Sequence, residues 1–318
     1  MINDPATLPD ITSMSLLHRI AFGALKMVAR LPFWMLYRMS DIAFLLLYHV
    51  VRYRRKVVLQ NLKESYPERS PREISAISRR FYRNFTDNIF EAIKLLHITD
   101  EEMRQRMIFE DVAVTDRYMA QGRSVVAYFS HCGNWEWAPS FTLWTTLLDK
   151  ENTRFCQIYR PLRNHAMDKL MLLLRSRFYT QSLAKRTSFL DLMRFRKQNL
   201  ISYTGFMSDQ KPSHGDVMHV VKFLNHPTAM ITGTETVARR LDAVVVYWEM
   251  SKPSRGHYRI RSVLITDQPN QLPEYAITDR YASLLQQNIN ADPALWLWTH
   301  KRWKHPVTFA DNGKKFGI

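Results

Sequence analysis

The chain has 318 residues, with 45 Lys and Arg against 29 Asp and Glu, a formal net charge of +16. Such a balance favours an anionic partner, whether nucleic acid, acidic lipid or an acidic protein, and charge alone does not choose among them. Cys132 and Cys156 belong to no Cys-x-x-Cys or Cys/His cluster, and the nine glycines form neither a P-loop nor a Gly-x-Gly-x-x-Gly turn, which sets aside zinc, dithiol and glycine-loop nucleotide chemistry.

A chain of this length buries roughly 75% of its unfolded surface and needs no disulfide or metal staple. Its two isolated cysteines suit a reducing compartment. No cleavable signal peptide is expected, because the first apolar stretch starts well inside the chain without a small-residue cleavage site. Residues 15–30 read as an amphipathic helix. After Pro32, residues 33–51 hold the richest apolar run, 42–51, but Arg38 and Asp41 leave it short of the ~20 apolar residues a spanning helix requires. A helix lying in the membrane interface is expected, with a soluble core helix as the alternative. Arg52, Arg54, Arg55 and Lys56 follow, suited to anionic headgroups or to a solvated helix face. Residues 1–56 are thus read as membrane-associating helices and residues 57–318 as an α/β domain with a helical lead-in over 57–121; no linker marks a clean domain boundary, and the best candidate for one lies before Gly122.

Ser70, Pro71 and Glu73 make a helix start, and Ile74, Ile77, Phe81, Phe85, Ile89 and Ile93 continue at helical spacing. Beyond them, β-branched runs at 124–130, 154–159, 200–206, 217–224, 243–250 and 258–265 predict strands. Helix-like stretches at 135–148, 162–178, 188–197, 229–240 and 275–291 lie among them. The alternation predicts an α/β fold, a central sheet covered by helices.

The segment 124–137 is an apolar strand ending in His131, then a glycine turn, then an expected helix carrying Glu136. Catalytic groups often sit at the carboxyl ends of strands in open α/β sheets. His131 has the proton affinity of a general base near neutral pH. A turn can bring Glu136 back to one imidazole nitrogen, fixing the tautomer and leaving the other nitrogen for substrate. Backbone N–H groups near Asn134 offer an oxyanion or phosphate site at the helix start. A lone histidine at a strand end also serves simply as a hydrogen-bonded structural residue.

The string His131-Cys-Gly-Asn-Trp-Glu136 resembles the acyltransferase motif of the bacterial lipid A late acyltransferases, a branch of the lysophospholipid acyltransferase superfamily. Asn61-Leu, Tyr66-Pro-Glu, Tyr159-Arg-Pro-Leu-Arg-Asn164, Arg175-Ser-Arg-Phe178 and Ser208-Asp-Gln210 continue the likeness in order, and Trp296-Leu-Trp-Thr-His-Lys-Arg-Trp-Lys304 is close to the family's ending. The resemblance implies a lysophospholipid-acyltransferase-like fold, with N-terminal helices on the cytoplasmic face of the inner membrane. It also implies acyl carrier protein as donor and an anionic glycolipid, a lipid A precursor, as acceptor; a lysophospholipid or another hydroxyl-bearing amphiphile is the alternative. His131 would deprotonate the acceptor hydroxyl with Glu136 in support, without a covalent acyl-enzyme, metal or cofactor. Arg160 would bind an acceptor phosphate, Asn134 would position substrate or His131, Asp209 and Gln210 would line the pocket, and Arg175, with Arg177, would serve a lipid or donor surface. The sequence departs from the family at Phe223-Leu-Asn225, where Phe-Phe-Gly is frequent, and at Tyr247, where proline is usual.

Rival chemistries are poorly supported. Cys132 adjoins His131, but neighbours in an extended segment point to opposite faces. No Gly-x-Ser-x-Gly elbow and no His-Glu-x-x-His pattern occurs. A basic, aromatic-rich surface such as 296–304 would suit nucleic acid. The apolar N-terminus favours lipid instead, so no nucleic acid partner is expected. A membrane-binding protein with an inactive site is the remaining non-enzymatic reading.

Overall fold

The computed structural model describes residues 15–148 and 151–317, so that residues 1–14 of the expected N-terminal segment lie outside it. The chain opens with α1 (Leu16–Arg30) and α2 (Phe33–Leu45), whose last turn passes into a π-helical turn at Leu46–Val50. This pair bends by 119°, and among the described residues no single helix is long and apolar enough to cross a membrane. On α2 the two sides differ: Phe33, Leu36, Ser40 and Phe44 are buried, whereas Trp34, Ile42 and Leu45 are exposed, as are Leu16, Leu17 and Ile20 of α1.

Two further helices, α3 (Arg55–Ser65) and α4 (Pro71–Lys94), follow. The start of α4 is fixed reciprocally: the Glu73 N–H donates to Ser70 Oγ at 3.3 Å and the Ser70 N–H donates to Glu73 Oε2 at 2.8 Å. The buried side of α4 carries two carboxylates that hold α2 in place. Ser40 Oγ donates to Asp87 Oδ1 at 2.7 Å, and Tyr37 OH donates to Glu91 Oε1 at 3.0 Å.

The sheet follows, built from β1 (Met107–Glu110), β2 (Val125–Phe129), β3 (Thr153–Tyr159), β4 (Gln181–Ala184), β5 (Ile201–Met207), β8 (Val244–Ser254) and β9 (His257–Thr266). Their order is β1-β9-β8-β2-β5-β3-β4, and every pairing is parallel except β8 with β9. An α/β fold with a mostly parallel central sheet is therefore present. All five residues of β2 are buried, the mark of a central strand covered on both faces. Val126 and Tyr128 join the core on the side of α3, α4, α8 (Ser188–Lys197), α9 (Gly233–Leu241) and α10 (Ala276–Ala291). Val125, Ala127 and Phe129 join the core on the side of α5 (Asp100–Arg106), α6 (Val112–Ala120) and α7 (His165–Arg175). A separate antiparallel hairpin, β6 (His219–Phe223) with β7 (His226–Met230), lies between β5 and α9.

All six predicted strands form, but one expected helix does not and another starts later than expected. Over 135–148 only a 3-10 turn at Ala138–Leu143 appears, since Pro139 sits at its start and Ala138 to Thr142 are buried on every side. The stretch 229–240 is the end of β7 followed by α9, because Thr228, Ala229 and Met230 pair in the hairpin. The turn of that hairpin accounts for one departure noted above. Leu224 and Asn225 have φ of 47° and 66°, the conformation a two-residue hairpin turn demands and glycine adopts most readily. Asn225 fits such a backbone, and its Nδ2 donates to the Glu64 carbonyl at 3.1 Å.

Candidate active site

β2 and β5 are adjacent and parallel, and the chain leaves them on opposite faces of the sheet, β2 toward the 3-10 turn and β5 toward α9. Such a divergence opens a crevice at the carboxyl ends of the strands. His131 follows β2 and Asp209 follows β5.

Across this crevice His131 Nδ1 lies 2.8 Å from Asp209 Oδ1, and the His131 backbone N–H donates to Asp209 Oδ2 at 3.1 Å. Trp296 Nε1 donates to the same Oδ2 at 2.9 Å. Asp209 is 1% exposed. Burial works to raise its pKa, but the charge and hydrogen bond of His131, with the Trp296 donor, bring it down to about 2. Asp209 is thus an ionised, acceptor-only group, which places the imidazole proton on Nδ1 and the lone pair on Nε2. Gln210 Nε2 lies 3.3 Å from His131 Nε2. For His131 itself, burial favours the neutral ring, yet the charge and hydrogen bond of Asp209 and the charge of Glu136 outweigh it and raise the pKa above 6.5.

Glu136 does not occupy the place expected of it. With no helix to carry it back toward the imidazole, its carboxylate accepts two hydrogen bonds from Arg175, Nε to Oε2 at 3.0 Å and Nη2 to Oε1 at 2.8 Å. Trp135 Nε1 donates to Glu136 Oε1 at 3.2 Å, and the Trp135 ring packs edge-on against His131 with centroids 5.1 Å apart. The hydrogen-bond partner of the imidazole is therefore Asp209, and Glu136 acts on it through its charge. Asp209 likewise serves the histidine rather than lining the pocket.

Of the two places expected for Asn134, beside substrate or in support of His131, its buried position fits only the second. It is 1% exposed; its Nδ2 donates to Glu91 Oε2 at 2.8 Å and its Oδ1 accepts from the Trp137 N–H at 3.2 Å. Glu91 accepts in addition from Tyr258 OH at 2.8 Å, and Asn88 Nδ2 donates to the Gly133 carbonyl at 2.7 Å. The loop after His131 is thus tied to α4 by buried polar groups that sequence spacing gave no means of pairing. Gly133 has φ of 58°, and a Cβ there would lie 2.6 Å from Met250 Sδ, so the loop requires glycine at this point. Arg177 is occupied with Asp100 Oδ1 at 2.7 Å and the Ile98 carbonyl.

His131, Gln210, Arg160 and Arg175 open on one cleft of about 840 Å³. Lys185 and Lys211 add charge to its wall, Ile158, Phe189, Phe206 and Val237 add apolar surface, and among the described residues no Asp or Glu lines it. Lys185 and Lys211 were not singled out in the sequence, where they look like any surface lysines. Cys132, by contrast, is 1% exposed and its thiol is pushed up by burial, which leaves it protonated and unreactive.

The family model described as bacterial lipid A biosynthesis acyltransferase matches residues 11–305. The chain belongs to that family. Comparison with curated proteins gave no match. This lipid A biosynthesis acyltransferase brings the blocks of its sequence together around one crevice. The closing block supplies Trp296 to Asp209, and its backbone passes beside the histidine loop through the Cys132–Trp296 bridge and the Gly133 N–H to Leu295 carbonyl bond at 3.0 Å. The opening block clamps the closing one: Asn61 Nδ2 donates to the carbonyls of Trp298 and His300 at 2.9 and 3.0 Å.

Proposed function

We propose that this acyltransferase moves a fatty acyl chain from acyl carrier protein to a hydroxyl of an anionic lipid A precursor, with His131 as general base and Asp209 as the group that orients it. The observation that carries this reading is the His131 imidazole, fixed at Nδ1 by a buried carboxylate and presenting Nε2 to a cationic, partly apolar cleft. In the reaction Nε2 takes the acceptor hydroxyl proton as the oxygen attacks the thioester carbonyl. The tetrahedral oxyanion collapses, the C–S bond breaks, and the imidazolium returns its proton to the leaving thiolate.

Arg175 is the candidate for the charge that develops on the carbonyl oxygen. Glu136 fixes two of its nitrogens, and Nη1 has no protein partner among the described residues. Arg160, exposed at the cleft edge, suits an acceptor phosphate, as do Lys185 and Lys211. The exposed apolar residues of α1 and α2, with Arg52, Arg54 and Lys56 beside them, support a protein resting on the cytoplasmic face of the inner membrane, where its acceptor resides. The test is transfer of labelled acyl chain from acyl carrier protein to purified lipid A precursors and lysophospholipids. Labelled lipid A precursor is the expected product; labelling confined to lysophospholipids would overturn the acceptor assignment.

A further inference from the structure

We propose that Trp296 is a positioning residue of the reaction, its indole N–H holding Asp209 in the rotation that keeps Oδ1 on the imidazole. The inference rests on the reading of His131 as base. Asp209 Oδ2 accepts two bonds, from the His131 backbone N–H at 3.1 Å and from Trp296 Nε1 at 2.9 Å. Of these, only the indole bond comes from a segment remote from the histidine. Trp296 itself has little freedom. It is 2% exposed and packs against Trp298, with ring centroids 4.8 Å apart, and against Phe223 at 6.1 Å. The segment around it is pinned from three directions: Asn61 on the carbonyls of Trp298 and His300, Arg54 Nη1 on the Thr299 carbonyl at 3.1 Å, and Trp303 Nε1 on Thr228 Oγ1 at 2.9 Å. A rigid donor aimed at a buried carboxylate fixes its orientation, and orientation of the carboxylate is what keeps the base in its productive tautomer.

Without the indole N–H, Oδ2 would sit in an apolar wall with one donor instead of two, and the carboxylate would turn to regain a partner. Oδ1 would then leave Nδ1. The charged groups facing His131 are Asp209, Glu136 and Arg175, with Arg302 facing Asp209; His300, a titratable neighbour, is lowered to about 4 by burial and by Arg302 and stays neutral; Trp296→Phe changes none of them.

The experiment is a pH–rate profile of purified full-length Trp296→Phe, with Trp298→Phe and His131→Ala alongside. The Trp298 indole donates to the Pro293 carbonyl at 2.6 Å, so its loss disturbs the same segment without reaching Asp209. Trp296→Phe is expected to lower kcat roughly 10- to 50-fold at unchanged KM and to move the acid limb down by about half a pH unit. Trp298→Phe is expected to leave that limb in place. Should Trp296→Phe fail to fold, replacing Trp296 with 3-benzothienylalanine keeps the ring and exchanges N–H for sulfur. An unmoved limb in either Trp296 variant would overturn the proposal, as would an upward move at normal kcat, which would mean that the indole only disperses charge. Full activity of His131→Ala would instead overturn the base assignment itself.

Discussion

His131 and Asp209 stand 78 residues apart in the chain and 2.8 Å apart in the fold. Each is the residue class the other needs: a buried carboxylate requires a donor or a cation, and an imidazole acting as base requires one nitrogen fixed so that the other is free. Because each lies two residues beyond the end of one of two neighbouring parallel strands, paired up to Phe129 and Met207, the sheet register brings them together.

Replacing Asp209 by Asn tests that relationship through the tautomer. Oδ2 receives two N–H groups, so an amide must place its oxygen there and turn its NH2 toward Nδ1. The imidazole would then carry its proton on Nε2 and have no lone pair for the acceptor. Asp209→Asn should lower kcat by roughly 10³–10⁴-fold with little change in KM, measured as acyl transfer by the folded variant. Loss of less than tenfold would show that the carboxylate does not set the tautomer.

The pH dependence follows from the direction of the two shifts. As the proposed base, His131 must be neutral to take a proton, and its pKa is raised, so the acid limb of kcat/KM should lie above 6.5. The same shifts act on stability. Asp209, depressed to about 2, contributes stability that is present above the ordinary value near ~3.9 and lost as pH falls toward 2. His131, raised, contributes stability that is full below about 6.5 and lost as pH rises through its folded value. An acid limb below 6.5 in the wild type would contradict the pairing.

Glu136 and Arg175 should behave as one unit. Their side chains are 13% and 16% exposed and share two hydrogen bonds, so breaking the pair should cost about 1–3 kcal/mol of stability. Glu136→Gln and Arg175→Lys should each lower kcat by about 10²-fold, since neither preserves the charged fork. The double variant should be no worse than the worse single one. Additive losses in that double-mutant cycle would separate the two residues.

Much of the fold could be read from local pattern. The alternating runs that became β2, β3, β5, β6, β8 and β9 are rich in Val, Ile, Tyr and Phe, and the Ser70 cap with its apolar spacing marked α4 correctly. β1 and β4 escaped because four residues each, Met-Ile-Phe-Glu and Gln-Ser-Leu-Ala, are too short for a period, and they lie at the sheet edges. The histidine motif pointed to the loop after β2, but the hydrogen-bond partner of its imidazole is Asp209, not the expected Glu136. Glu136 is near in sequence, whereas Asp209 reaches the ring only through β-sheet pairing, which no local spacing encodes. Asn134 and Glu91 were hidden in the same way, as a buried polar pair 43 residues apart.

Acyl transfer from acyl carrier protein to a lipid A precursor, compared between wild type and His131→Ala at equal folded concentration, bears most directly on the mechanism proposed here. Loss of transfer by His131→Ala, with folding and membrane association retained, is the predicted result. Wild-type transfer by the folded variant would contradict the assignment of His131 as the base.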